Sequence, residues 1–112
     1  VRDAIEYIKK NHSIALMIDQ RVSEGEKLNF FNNAALTTTL PAQLALKYNL
    51  NIVPVFIERK YDNKFYIEFY EEIKTNNFKD KKELTKKLNG ILENMITRNP
   101  YQWIWTHNRW KL

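Results

Sequence analysis

The sequence predicts an α/β fold, and two apolar runs with a helical stretch between them carry that prediction. Ile14–Ile18 and Ile52–Ile57 are apolar runs of strand length, the pattern of strands buried on both faces of a parallel sheet. Between them Leu40, Leu44, Ala45 and Tyr48 recur at helical spacing, so the order strand, helix, strand reads as a βαβ unit. A third observation is the segment Lys79–Asn99. There Leu84, Leu88, Ile91, Leu92, Met95 and Ile96 form one continuous apolar stripe, the face a helix needs to pack on a sheet.

Taken in order, Ala4, Ile5 and Ile8 make Val1–Lys10 the end of a helix. The strand Ile14–Ile18 stops at Asp19-Gln20, and Arg21–Leu28 is a polar loop around Gly25 that leads to Phe30-Phe31. Thr37, Thr38 and Thr39 supply N-caps and Pro41 suits a first helical turn, with the helix ending near Asn49. Pro54 removes one ladder donor from the second apolar run, which calls for a bulge or an edge there. Asp62-Asn63 is a turn signal. Phe65, Ile67 and Phe69 alternate with Tyr66, Glu68 and Tyr70, so this strand is expected to bury one face and wet the other. Pro100 ends the long helix, and the tail Tyr101–Leu112 is dense in Trp and basic residues. Sites in open α/β sheets gather beyond the carboxyl ends of strands, which places Asp19 at one such end and Arg59 at the other.

The chain of 112 residues fits one domain at most, and 44% hydrophobic residues allow it a core. No apolar run approaches the roughly 20 residues that cross a bilayer, and the charged opening Val1–Lys10 has no signal-peptide pattern. With no Cys, and with His12 and His107 far apart, no metal site is expected. Two glycines cannot build a phosphate cradle, and neither Ser13 nor Ser23 lies in a nucleophile elbow. No cofactor is expected. The net charge of +5 points to a polyanionic partner: nucleic acid, an anionic membrane surface or an acidic carrier protein.

Several blocks resemble one family when read together. Met17-Ile18-Asp19-Gln20, Glu24-Gly25, Phe30-Phe31 and Thr37–Pro41 running into Ala42–Tyr48 are similar to the middle blocks of bacterial lipid A biosynthesis late acyltransferases, the lauroyl and myristoyl acyltransferases. Ile52-Val53-Pro54-Val55 followed by Arg59 resembles that family's next strand. Pro100-Tyr101-Gln102-Trp103, Trp105 and His107-Asn108-Arg109-Trp110 resemble its closing signature, with Tyr101 where Glu is usual and Asn108 where the first of paired arginines is usual. Asn32 stands where the family usually has Gly.

The resemblance implies a three-layer αβα sandwich similar to glycerol-phosphate acyltransferases, of which residues 1–112 would be the C-terminal part of a single domain. It also implies transfer of a fatty acyl chain from acyl-acyl carrier protein to a hydroxyl of a Kdo-bearing lipid A precursor. The location it implies is the cytoplasmic face of the bacterial inner membrane, with the anionic membrane surface as a further partner. In that family a His-x4-Asp/Glu pair acts as general base on the acceptor hydroxyl. This chain has no such pair, since Met17 follows His12 by five positions and Leu112 follows His107 by five. The dyad and the membrane anchor are expected upstream, and the isolated chain is expected to be inactive.

Each candidate residue has a functional and a structural reading. Asp19 and Gln20 either line a substrate pocket or, for Asp19, cap a loop amide. Arg59 either forks onto a phosphate of the acceptor or pairs with Glu58 or Glu68. Phe30 and Phe31 either pack in the core or line an acyl-chain groove. Trp103, Trp105, His107, Arg109 and Trp110 either sit at the bilayer headgroups or anchor the C-terminus by packing. The competing class is a basic nucleic-acid-binding or non-catalytic interaction domain. No nucleic-acid partner is expected, because no recognition motif is present and the aromatics are not interleaved with Lys and Arg over one sheet.

Overall fold

A computed structural model describes residues 1–112. The element order is α1 (Arg2–Lys9), β1 (Glu26–Phe30), β2 (Asn33–Thr37), α2 (Leu40–Tyr48), β3 (Val55–Arg59), β4 (Phe65–Phe69), a 3-10 turn at Thr75–Asn77, α3 (Lys81–Arg98) and a second 3-10 turn at Pro100–Gln102. Helices and strands are mixed, as an α/β reading requires. The strands, however, form two separate antiparallel hairpins, β1–β2 and β3–β4.

The expected βαβ unit does not form among these residues. Ile14–Ile18 has no regular secondary structure and pairs with no strand, and Met17 is almost fully exposed. The run lacks a neighbour on either side to accept its backbone groups, so apolar content alone does not make it a strand. In the second run only Ile52 pairs early, through an isolated bridge to Ile73, and the regular strand begins after Pro54. The segment read as a polar loop, Arg21–Leu28, instead runs into β1, whose Leu28 and Phe30 point inward. The turn Phe31-Asn32 fixes this hairpin. Both residues have positive φ (48° and 61°), the backbone of a two-residue type I′ connection, which asks for Gly or Asn. Asn32 therefore serves where Gly is usual, and Phe31 holds a conformation that costs a bulky residue energy.

Gly25 sits against the start of the same hairpin. A Cβ there would lie 2.6 Å from the Thr37 carbonyl oxygen, so only glycine fits.

The helices follow their sequence signals closely. Thr38 Oγ1 accepts from the Leu40 amide and Thr39 Oγ1 accepts from the Gln43 side chain at the start of α2, with Pro41 in its first turn. Asn49 in the left-handed conformation closes it. In α3, Asp80 accepts from the Glu83 amide at 2.8 Å, and Glu83 reaches back to the Lys79 amide at 2.7 Å. The apolar stripe of α3 serves two cores. Its N-terminal half packs Leu84 against Ala42 and Ala45 of α2, and its C-terminal half packs Ile96 against Phe30 and Ala35.

The β3–β4 hairpin reverses an expectation. Its turn is Asp62-Asn63, both at positive φ, as the sequence signals. The register pairs Val55 with Phe69, Ile57 with Ile67 and Arg59 with Phe65, so these six share one face. That face is the outer one: Ile57, Phe65, Ile67 and Phe69 are 54%, 55%, 53% and 72% exposed. The face that packs inward carries Phe56, Glu58, Tyr66 and Glu68, because Arg98 at the end of α3 lies over the Phe56 ring and bonds Glu68. A cation with two acceptors and a ring to cover draws the polar side of the ribbon inward.

Candidate functional site

The closing segment folds back over the first hairpin, and this builds a cluster of polar and aromatic side chains. Proline at position 100 stops α3 and starts a 3-10 turn, which redirects the chain across β1–β2. Trp103 then lands beside Phe30, with ring centroids 6.0 Å apart. Its indole N–H donates to Asp19 Oδ2 at 3.3 Å. Trp110 stacks on Phe30 at 5.8 Å and donates from its indole N–H to the Phe30 carbonyl at 2.9 Å. Phe31 meets Phe30 edge-on at 4.9 Å, and the Phe31 amide donates to Glu93 Oε1 at 2.7 Å. That bond secures the strained turn residue from α3.

Arg109 is the centre of this cluster and is fully buried. One Nη donates to the Leu36 carbonyl at 2.8 Å and the other to Thr37 Oγ1 at 3.1 Å, while the guanidinium lies over the Phe30 ring at 5.0 Å. Its Nε has no partner. Burial pushes the Arg109 pKa below its usual value, and the negative charge of Asp19 acts in the opposite direction. Arginine remains charged at neutral pH under such a shift. The cluster therefore holds a buried cation whose nearest named countercharge is the partly exposed carboxylate of Asp19. Outside the cluster, Arg21 donates to the Lys111 carbonyl at 2.6 Å and clasps the end of the tail to the loop after Asp19.

The structure thus brings Asp19, Phe30, Phe31, Trp103, Arg109 and Trp110 into one neighbourhood. Trp103 and Trp110 are half-buried, so for these two and for Arg109 packing and anchoring is what the geometry describes. Arg109 has no surface left to offer a headgroup. Trp105 is exposed, meets Trp103 edge-on at 4.6 Å, and donates to the Pro100 carbonyl at 2.7 Å. His107 is exposed, and neither histidine is ion-paired with a carboxylate. Gln20 is exposed beside Asp19.

Arg59 lies elsewhere, near the tip of the second hairpin, with its guanidinium 5.4 Å from the Phe65 ring centroid. It pairs with neither Glu58 nor Glu68, which are taken by Lys60 and Arg98. Hydrogen bonding from Lys60 holds the Glu58 carboxyl below its usual range, and hydrogen bonding from Arg98 does the same for Glu68. The Glu68 bond and the Tyr70 hydroxyl raise the Arg98 pKa further above its already high value.

Several participants carry no signal in the sequence. Thr37 reads as a helix cap but accepts from Arg109, and Glu93, outside the apolar stripe of the long helix, holds the Phe31 amide. Gln102 presents its side-chain amide to the free edge of β3, donating to the Ile57 carbonyl and accepting from the Arg59 amide. The conjunction of Pro100, Gln102 and Trp103 was the only local hint, because it joins a helix stop to residues able to reach a strand edge.

Comparison with curated proteins gives no match to the chain. The profile of the bacterial lipid A biosynthesis acyltransferases matches it from residue 1 to residue 112, so the blocks that converge on Phe30 and Arg109 are parts of one family pattern. The chain belongs to the bacterial lipid A biosynthesis acyltransferase family.

Proposed function

We propose that residues 1–112 are the C-terminal part of a single acyltransferase domain. That domain would have the three-layer αβα architecture and transfer a fatty acyl chain from acyl-acyl carrier protein to a hydroxyl of a Kdo-lipid A precursor. The observation that supports this reading most is the family match over the whole chain. The convergence of the closing signature on Asp19 adds to it. In the proposed reaction the base is a histidine of a His-x4-Asp/Glu segment outside these residues. It takes the acceptor hydroxyl proton as the oxygen attacks the thioester carbonyl, and the carrier's thiolate leaves and is reprotonated.

This chain contributes walls rather than the base. Asp19, with Gln20 beside it, faces the acceptor or thioester pocket, while the indole of Trp103 fixes the carboxylate. Phe31, half-buried at the hairpin turn, borders the acyl groove, and Phe30 beneath it is the packed floor. Arg59, free of carboxylate partners, meets a phosphate of the acceptor. The enzyme works at the cytoplasmic face of the inner membrane. No helix of the structure is long and apolar enough to cross a membrane.

The test is acyl transfer by the isolated chain and by a longer polypeptide that joins it to a His-x4-Asp/Glu segment. Transfer is expected only from the second. Transfer by the isolated chain would overturn the assignment of the base, and none by either would overturn the acyltransferase reading itself.

A further inference from the structure

Six residues other than glycine hold positive φ, and five of them are Asn or Asp, which tolerate that backbone. The sixth is Phe31. A two-residue hairpin turn asks for Gly or Asn at this position, so the aromatic side chain strains the turn that carries it. The second hairpin closes with Asp62-Asn63 and needs no bulky residue to do so. The strained turn is held from both sides. Glu93 Oε1 accepts from the Phe31 amide at 2.7 Å, and the Asn33 side-chain amide donates to the Phe31 carbonyl at 3.0 Å. Strained residues persist where their neighbours over-determine them, and they gather at ligand-binding sites.

Core packing alone does not account for the ring. Phe30 is fully buried and already fills the core with Ala35 and Ile96, and Phe31 leans on its edge. The place of the ring says what it serves. Asp19 accepts from Trp103, Trp103 packs beside Phe30 at 6.0 Å, and Phe30 meets Phe31 at 4.9 Å. The path from the Asp19 carboxylate is therefore lined by aromatic rings, and Phe31 closes it at the hairpin turn. A thioester beside Asp19 would lay its acyl chain along such rings, with the methyl end against Phe31.

We infer that Phe31 is a specificity-determining residue: its ring, with the backbone held by Glu93 and Asn33, is the end wall that limits the length of the acyl chain. This rests on the acyl-transfer reading above and deepens it by naming what selects the donor. Glu93 and Asn33 are then positioning residues, which act through Phe31.

The longer polypeptide that carries the catalytic dyad tests it, with kcat/KM measured for lauroyl- and palmitoyl-acyl carrier protein. Phe31→Gly removes the ring and gives the turn a residue it favours, so the hairpin is retained. The palmitoyl-to-lauroyl ratio of kcat/KM is expected to rise about tenfold or more, because an apolar pocket discriminates about tenfold or more for each methylene it admits or rejects. Glu93→Ala, which releases the turn, is expected to move the ratio in the same direction by a smaller factor. Glu93→Gln keeps an oxygen to accept the Phe31 amide and is expected to hold the parent ratio. An unchanged ratio in Phe31→Gly overturns the inference, and so does an equal loss for both donors, which is what a ring that only packs would give. No transfer from either donor by the unsubstituted polypeptide overturns the acyltransferase reading itself, and the inference with it, so the two failures are distinct.

Discussion

The two hairpins are built alike and used oppositely. Each is a pair of five-residue antiparallel strands closed by two residues at positive φ. In β1–β2 the apolar side, with Leu28, Phe30 and Ala35, faces α3 and is sealed by the tail. In β3–β4 the apolar side faces out and the charged side faces α3. The difference teaches that alternation along a strand fixes which residues share a face, whereas the neighbours decide which face is buried. Phe30 has Ile96, Trp103 and Trp110 to receive it. The second ribbon meets the end of α3 and the turn after it, where Arg98 offers a guanidinium and Gln102 an amide rather than an apolar surface.

The comparison breaks most sharply under matched truncations. Phe30→Ala is expected to cost about 3–5 kcal/mol of stability, because the ring is fully buried among aromatics. Phe65→Ala is expected to cost within about 0.5 kcal/mol, since its ring is exposed. Denaturant unfolding of the two variants measures both, and equal costs would refute the contrast.

A smaller effect should follow from Gly25→Ala. The new Cβ would collide with the Thr37 backbone, so a loss of about 1–3 kcal/mol is expected, confined to the first hairpin. Hydrogen exchange of the β1 and β2 amides would localise it.

The smallest effect is the pH response of the second hairpin. Glu68 is held below its usual value of 4.5 by Arg98, and Glu58 by Lys60. A depressed carboxyl adds stability that is full above 4.5 and is lost as pH falls through the lowered value. Acidification below 4.5 should therefore loosen β3–β4 from α3 while leaving β1–β2 protected. Amide exchange that rises equally in both hairpins would contradict this.

Much of the architecture was legible in residues whose signals are local. Pro100 ended α3, Pro41 and Asn49 bound α2, and Asp62-Asn63 made the turn, because caps and turns depend on a few neighbouring backbone groups. The expected parallel pairing did not form, because Ile14–Ile18 needs partner strands that its own composition cannot supply. The Phe31-Asn32 turn escaped notice for a different reason: a bulky residue at positive φ is held there by Glu93, more than sixty positions away in sequence. The site was half legible. Asp19, Phe30, Trp103, Arg109 and Trp110 were singled out by family pattern, yet their mutual contact depends on the tail folding back, and Thr37 joined them unannounced. Arg59 was singled out with them and lies on the other hairpin.

The central functional claim is that Asp19, fixed by Trp103, serves the acyl-transfer pocket rather than the fold. Asp19→Asn in the longer polypeptide that carries the catalytic dyad tests it, with turnover and unfolding measured on the same preparation. Asparagine keeps an oxygen to accept the Trp103 indole N–H but removes the countercharge of the buried Arg109, so the account predicts a loss of turnover larger than the accompanying loss of stability explains. Unchanged turnover, or a loss of turnover explained by a matching loss of stability, would contradict it.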